Sequence, residues 1–92
     1  MDMENKVRQI RELVEAKREK FARVSDEVWA VPELYFHETK SAAILIKALK
    51  EEGFEVQEGV DGIPTAFIGT WGSGKPVIGI LGEFDALPSL SQ

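Results

Sequence analysis

Ninety-two residues, 43% hydrophobic and 29% charged, fit one small globular domain with a modest core and not a disordered segment. A net charge of −5 argues against nucleic acid or an anionic membrane surface as a partner, and the lack of cysteine excludes disulfides, thiolate metal sites and thiol nucleophiles. The start Met1-Asp2-Met3-Glu4-Asn5-Lys6 is charged and not a signal core, and the longest uncharged run is too short to span a bilayer. A soluble, cytoplasmic protein is expected.

From the amino end, Val7, Ile10, Val14, Phe21, Val24, Val28 and Val31 recur every three or four positions, lapsing only at Lys17. This spacing predicts one long helix with an apolar stripe packed on a sheet or another helix, ended by Pro32. Ser25-Asp26 offers an alternative start for a second, shorter helix, with a kink between the two. Tyr35 and Phe36 follow in a short connector and are expected to pack onto the core. Residues 38–52 form a second predicted helix with Ala42, Leu45, Ile46 and Leu49 on one face, Thr39 or a neighbour as cap, and Gly53 as its left-handed terminator.

Phe54-Glu55-Val56 alternates as an edge strand does, residues 59–62 form a loop, and residues 63–71 read as a strand with Pro64 near its start. Gly72-Ser73-Gly74-Lys75 signals a hairpin turn into a strand over residues 76–84, whose uncharged stretch from Pro76 to Gly82 has the composition of a strand buried on both faces. The expected fold is α/β: two N-terminal helices, then a three-stranded β unit.

The chemistry concentrates where the last predicted strand ends. Glu83 and Asp85 lie two apart, so in extended backbone both carboxylates face one side and can converge on one cation or one water. Open α/β sheets build their sites just beyond such strand ends. Solvated turn acids have the same pattern, so the spacing leaves both readings open. His37, the single histidine, neighbours Glu38, but adjacent side chains diverge, and a surface or capping role is expected. Gly72-Ser73-Gly74-Lys75 lacks the spacing and the following helix of a phosphate loop and is expected to be a turn. Ser89 and Ser91 have no partner base near in sequence, so a serine triad is not expected.

Four stretches together, WAVPELYFHETKSA, LKEEGFEV, GIPTAFIGTWGSGKPVIGIL and GEFDALPSLSQ, resemble the amino terminus of the aminoacylase and carboxypeptidase-type dinuclear zinc metallopeptidases. Within that family the likeness is greatest to the amidohydrolase branch acting on aminobenzoyl-glutamate. It covers nearly the whole chain, and GEFDALP is its most specific block. The resemblance implies the opening portion of a zinc-exopeptidase-like α/β/α catalytic domain, with residues 1–92 as an N-terminal fragment and no lid (dimerisation) domain. It further implies hydrolysis of an amide bond near a free carboxylate, in N-acyl amino acids or dipeptides, by one or two divalent metals (zinc or manganese) and a glutamate base.

Many members carry His-x-Asp at this strand end. Glu83 takes the place of that metal-binding histidine, and Asp85 matches the aspartate that orients it. Phe84 departs from the tyrosine of the aminobenzoyl-glutamate branch, and Ser89 replaces a usual glycine. Asp85 is therefore expected to support a ligand rather than bind metal, and Glu83 to occupy a ligand position with an atypical side chain. The family's remaining ligands correspond to positions beyond Gln92, so the chain alone is expected to bind no metal and hydrolyse nothing. The alternative is a small α/β interaction module without catalysis. With few strands to flank Val77, Ile78, Ile80 and Leu81, the isolated chain is expected to self-associate through an exposed sheet edge, borrow a partner, or be poorly soluble.

Overall fold

Asp2 sets the start of the first helix, α1 (Met3–Ala16): its carboxylate accepts from the Asn5 amide at 2.8 Å, satisfying one of the donors that a helix start leaves open. The computed structural model describes residues 2–88. A second helix, α2 (Arg18–Trp29), follows after one residue, and a third, α3 (Thr39–Glu51), after a connector.

The expected uninterrupted helix is thus two helices, and the break falls at Lys17, not at Ser25-Asp26. Lys17 is the slot where the apolar repeat lapses, so no packing holds it in register. Its amine instead reaches Glu52 at 2.7 Å. Ser25 and Asp26 lie within α2 on its exposed side, where polar residues need no break. The stripe is also covered only in part. Val28 is buried and Val24 half-buried, but Val7, Ile10, Val14 and Phe21 are exposed, because α1 packs on α2 and meets neither α3 nor the sheet closely.

Tyr35 and Phe36 do not join the core as expected. Their rings meet edge to face at 5.7 Å and both remain exposed, each covering part of the other. α3 ends as its sequence predicts. Gly53 adopts φ 91°, the Phe54 amide donates to the Leu49 carbonyl at 3.0 Å, and the Gly53 amide donates to the Lys50 carbonyl at 3.1 Å. These are the paired bonds of a Schellman closure.

β1 (Glu55–Glu58) and β2 (Phe67–Thr70) form a two-stranded antiparallel sheet with Val56 opposite Gly69 and Glu58 opposite Phe67. Both strands pack on α3. Gly69 permits the approach, since a Cβ there would lie 3.1 Å from Leu49 Cδ1 and 3.5 Å from Phe54 Cδ2. Pro64 falls outside the strand, in a loop containing a 3-10 turn at Val60–Gly62. The buried apolar residues are Val28, Ala42, Ala48 and Ala86.

The third expected strand is not formed among the described residues. The bend around Gly74 does not lead residues 76–84 back along β2, and the described sheet has two strands. Val77 and Ile80 are 87% and 95% exposed. An uncharged β-branched run shows that a segment suits burial, but burial also needs a covering surface, and β2 pairs only with the four-residue β1 here. No helix among the described residues is long and apolar enough to cross a membrane. Ser89 and Ser91 lie outside the described residues.

Candidate functional site

Glu83 and Asp85 stand on a segment that is irregular in backbone yet anchored at alternate residues. Phe84 is half-buried, its ring 5.7 Å from that of Phe67 on β2. Ala86 is 3% exposed, and its amide donates to the Glu33 carbonyl at 2.7 Å. Between and before these anchors, Asp85 and Glu83 are both exposed. The alternation of the sequence is thus retained without a strand: aromatic and methyl groups turn inward and carboxylates outward.

The anchor itself is built on the start of α3. Glu38 opens that helix but caps it with no side-chain bond, and Thr39 does not cap it either. The Glu33 carboxylate reaches across the connector instead. It accepts from the Ser41 amide at 2.7 Å, the Ser41 hydroxyl at 2.9 Å and the Lys40 amide at 3.2 Å. Ser41 is fully buried, so this carboxylate satisfies donors that water does not reach. A negative group at a helix start is also favoured by the helix dipole. Burial pushes the Glu33 carboxyl upward, but the bonds from Ser41 and Lys40, with the Lys40 charge, outweigh it and hold the group below the usual carboxylate range.

At the far end of α3 the electrostatics are reversed. Glu51 and Glu52 lie at the negative end of the helix dipole, and two lysines offset them. Lys20 meets Glu52 at 2.6 Å and Glu51 at 3.3 Å, beside the Lys17 contact. The hydrogen bond from Lys17, then that from Lys20, lowers the Glu52 carboxyl, and the bond to Glu52 raises the Lys20 amine. An open cleft of about 470 Å³ lies alongside, lined by Lys20, Arg23, Glu27, Ile44, Lys47 and Glu51 among others. Neither Glu83, Asp85 nor His37 lines it.

His37 is exposed, in the connector before α3. One Glu38 carboxylate oxygen is buried with no hydrogen-bond partner among the described residues. No group of three or more His, Asp or Glu side chains arranged to hold a metal forms among the described residues. Glu33 and Ser41 were missed in the sequence. No local signal marks them, since a carboxylate eight residues before a serine has no capping spacing.

No family model matches the chain. Among curated proteins it is 46% identical over 90 residues to a subunit of p-aminobenzoyl-glutamate hydrolase from Escherichia coli (strain K12), covering 98% of this chain and 19% of that protein. Thermostable carboxypeptidase 1 of Saccharolobus solfataricus is 32% identical over 88 residues, 94% of this chain and 20% of the carboxypeptidase. Thermostable carboxypeptidase 2 of the same organism is 37% identical over 59 residues, 62% and 15% respectively. The chain spans a fifth or less of the length of each of these relatives. By this likeness it belongs to the amidohydrolase and peptidase family that they represent.

Proposed function

We propose that the chain is the opening part of the catalytic domain of a metal-dependent amidohydrolase that cleaves N-acyl amino acids or dipeptides of the aminobenzoyl-glutamate type. The observation that carries this reading is 46% identity across 98% of the chain to a protein named as part of a p-aminobenzoyl-glutamate hydrolase. The exposed carboxylates Glu83 and Asp85, presented from an anchored segment, support it. In this reading Glu83 stands at a ligand position for zinc or manganese and Asp85 orients a neighbouring ligand, while further ligands come from outside the described residues. The bound metal would supply Lewis-acid activation of the amide and of water. The chain by itself is inactive.

A chimera provides the test. The matching 90 residues of the E. coli relative are replaced by this chain, and chelator-sensitive hydrolysis of p-aminobenzoyl-glutamate is measured beside the unmodified protein. Activity is expected in the chimera, with a fall of about 10–100-fold on Asp85→Asn, the usual loss for a group that orients a metal ligand. A soluble, metal-loaded chimera with no hydrolysis sinks the reading. Hydrolysis by the 92-residue chain alone with added zinc or manganese would overturn its inactivity.

One observation favours a second reading, a self-associating module without catalysis. Val77, Ile78, Ile80 and Leu81 expose a contiguous apolar strip, and such strips drive pairing between copies. Light scattering after size-exclusion chromatography separates the two states. A stable monomer at high concentration removes this second reading.

A further inference from the structure

We propose that Glu33 is the positioning residue for the Glu83 and Asp85 carboxylates, its side chain fastening the start of α3 while its own carbonyl fastens the residue next to Asp85. Two sets of bonds meet in this one residue. The side chain takes the Lys40 amide and both donors of Ser41, so the backbone of Glu33 is held against a fully buried point of α3. The backbone carbonyl, fixed by that attachment, accepts the Ala86 amide at 2.7 Å. Phe84 against Phe67 supplies the other anchor. Asp85 is bracketed by the two, and Glu83 precedes them.

No other backbone bond ties residues 71–88 to the helices or the sheet among the described residues. Two points of attachment fix the direction of an extended segment, whereas Phe84 alone would leave it free to pivot about β2. A helix cap built from a distant carboxylate thus sets where another pair of carboxylates projects. A hydrolytic purpose for that placement rests on the amidohydrolase reading above; the placement itself does not.

Amide hydrogen exchange followed by NMR on the 92-residue chain tests the coupling. Glu33→Ala leaves the carbonyl of residue 33 in place but removes the attachment that orients it. The Ala86 amide is then expected to exchange roughly tenfold faster, as for a lost hydrogen bond, with the β1–β2 ladder unchanged. Glu33→Gln keeps an acceptor oxygen for Ser41 and is expected to restore most of the protection. If Glu33→Ala unfolds the chain, Ser41→Ala removes only the hydroxyl donor and is expected to accelerate Ala86 about threefold. Release of the Lys40 and Ser41 amides with Ala86 still protected would overturn the proposal, because capping and placement would then be separate. So would unchanged Ala86 exchange in Ser41→Ala. Failure of the amidohydrolase reading is distinct: an inactive chimera in which Ala86 retains its protection.

Discussion

Two regions of this chain, the polar start of α3 and the apolar segment that leads to Ala86, are covered in opposite ways. At the start of α3, one carboxylate satisfies three donors around a fully buried serine, and Ala86 closes against it. In the segment leading to Ala86, Val77, Ile78, Ile80 and Leu81 stand almost wholly in solvent. The difference lies in what each has for a partner. The buried node is made from groups close in sequence, 33, 40 and 41, joined by a short turn, so its ordering cost is small. The strip needs a long strand beside it, and the four-residue β1 and β2 do not provide one. Hydrophobic composition therefore records a capacity for burial, and local hydrogen bonding decides where that capacity is used.

The comparison is broken most forcefully at Glu33. Glu33→Ala strands the buried Ser41 amide and leaves the Ser41 hydroxyl only the Val31 carbonyl at 3.4 Å, and is expected to cost about 2–3 kcal/mol in a denaturant titration. Glu33→Gln should recover more than half of that. Next in size is the α3–sheet contact, where Gly69→Ala pushes a methyl toward Leu49. A loss of about 1–2 kcal/mol is expected, because an overpacked neighbour must move. At the strip, Ile80→Ser removes an exposed side chain and is expected to change stability by less than about 0.5 kcal/mol while weakening any self-association seen by light scattering. A large stability loss from Ile80→Ser would show that the strip is covered in solution and would erase the contrast.

Acid sharpens the same contrast from another side. The Glu33 and Glu52 carboxyls are lowered in the folded chain, so their contributions are complete above the ordinary carboxylate range. They are lost as pH falls through the lowered values, and a melting series from neutral pH down should show loss setting in below about pH 4. Lys20, raised by Glu52, contributes in full below the ordinary lysine range, and its share is lost only as pH rises beyond it. Glu52→Gln should shallow the acid limb less than Glu33→Gln does, since contacts between solvent-accessible charges add little. Equal flattening by the two variants would show that the two ends of α3 are equally important.

One helix and its closing end were legible in the chain, whereas the division of the amino-terminal helix and the cap of α3 were not. α3 and its Gly53 closure follow from local periodicity and from a residue that adopts φ 91° without strain. The lapse at Lys17 was visible too, but its consequence was not, because the break depends on an amine meeting Glu52, which is remote in sequence. The third strand was misread for the same reason: pairing is non-local, and composition cannot supply the neighbour. Of the candidate site, the alternation around Phe84 was legible, with Glu83 and Asp85 exposed on either side. The Glu33 cap was not, since a glutamate set well before a helix has no local signature. The family was legible from the GEFDALP block and its companion stretches, and the relatives agree with it.

The joint at Lys17 makes α3 a ruler for the rest of the molecule. α1 leaves the body through one non-helical residue, and that residue's amine is held by Glu52, the position that closes α3. An α-helix turns about 100° per residue, so one residue inserted into α3 carries Glu52 a quarter-turn and more around the axis. The amine of Lys17 would then face a different side of the helix. The heading of the first fourteen-residue helix is in this sense written in the length of the third.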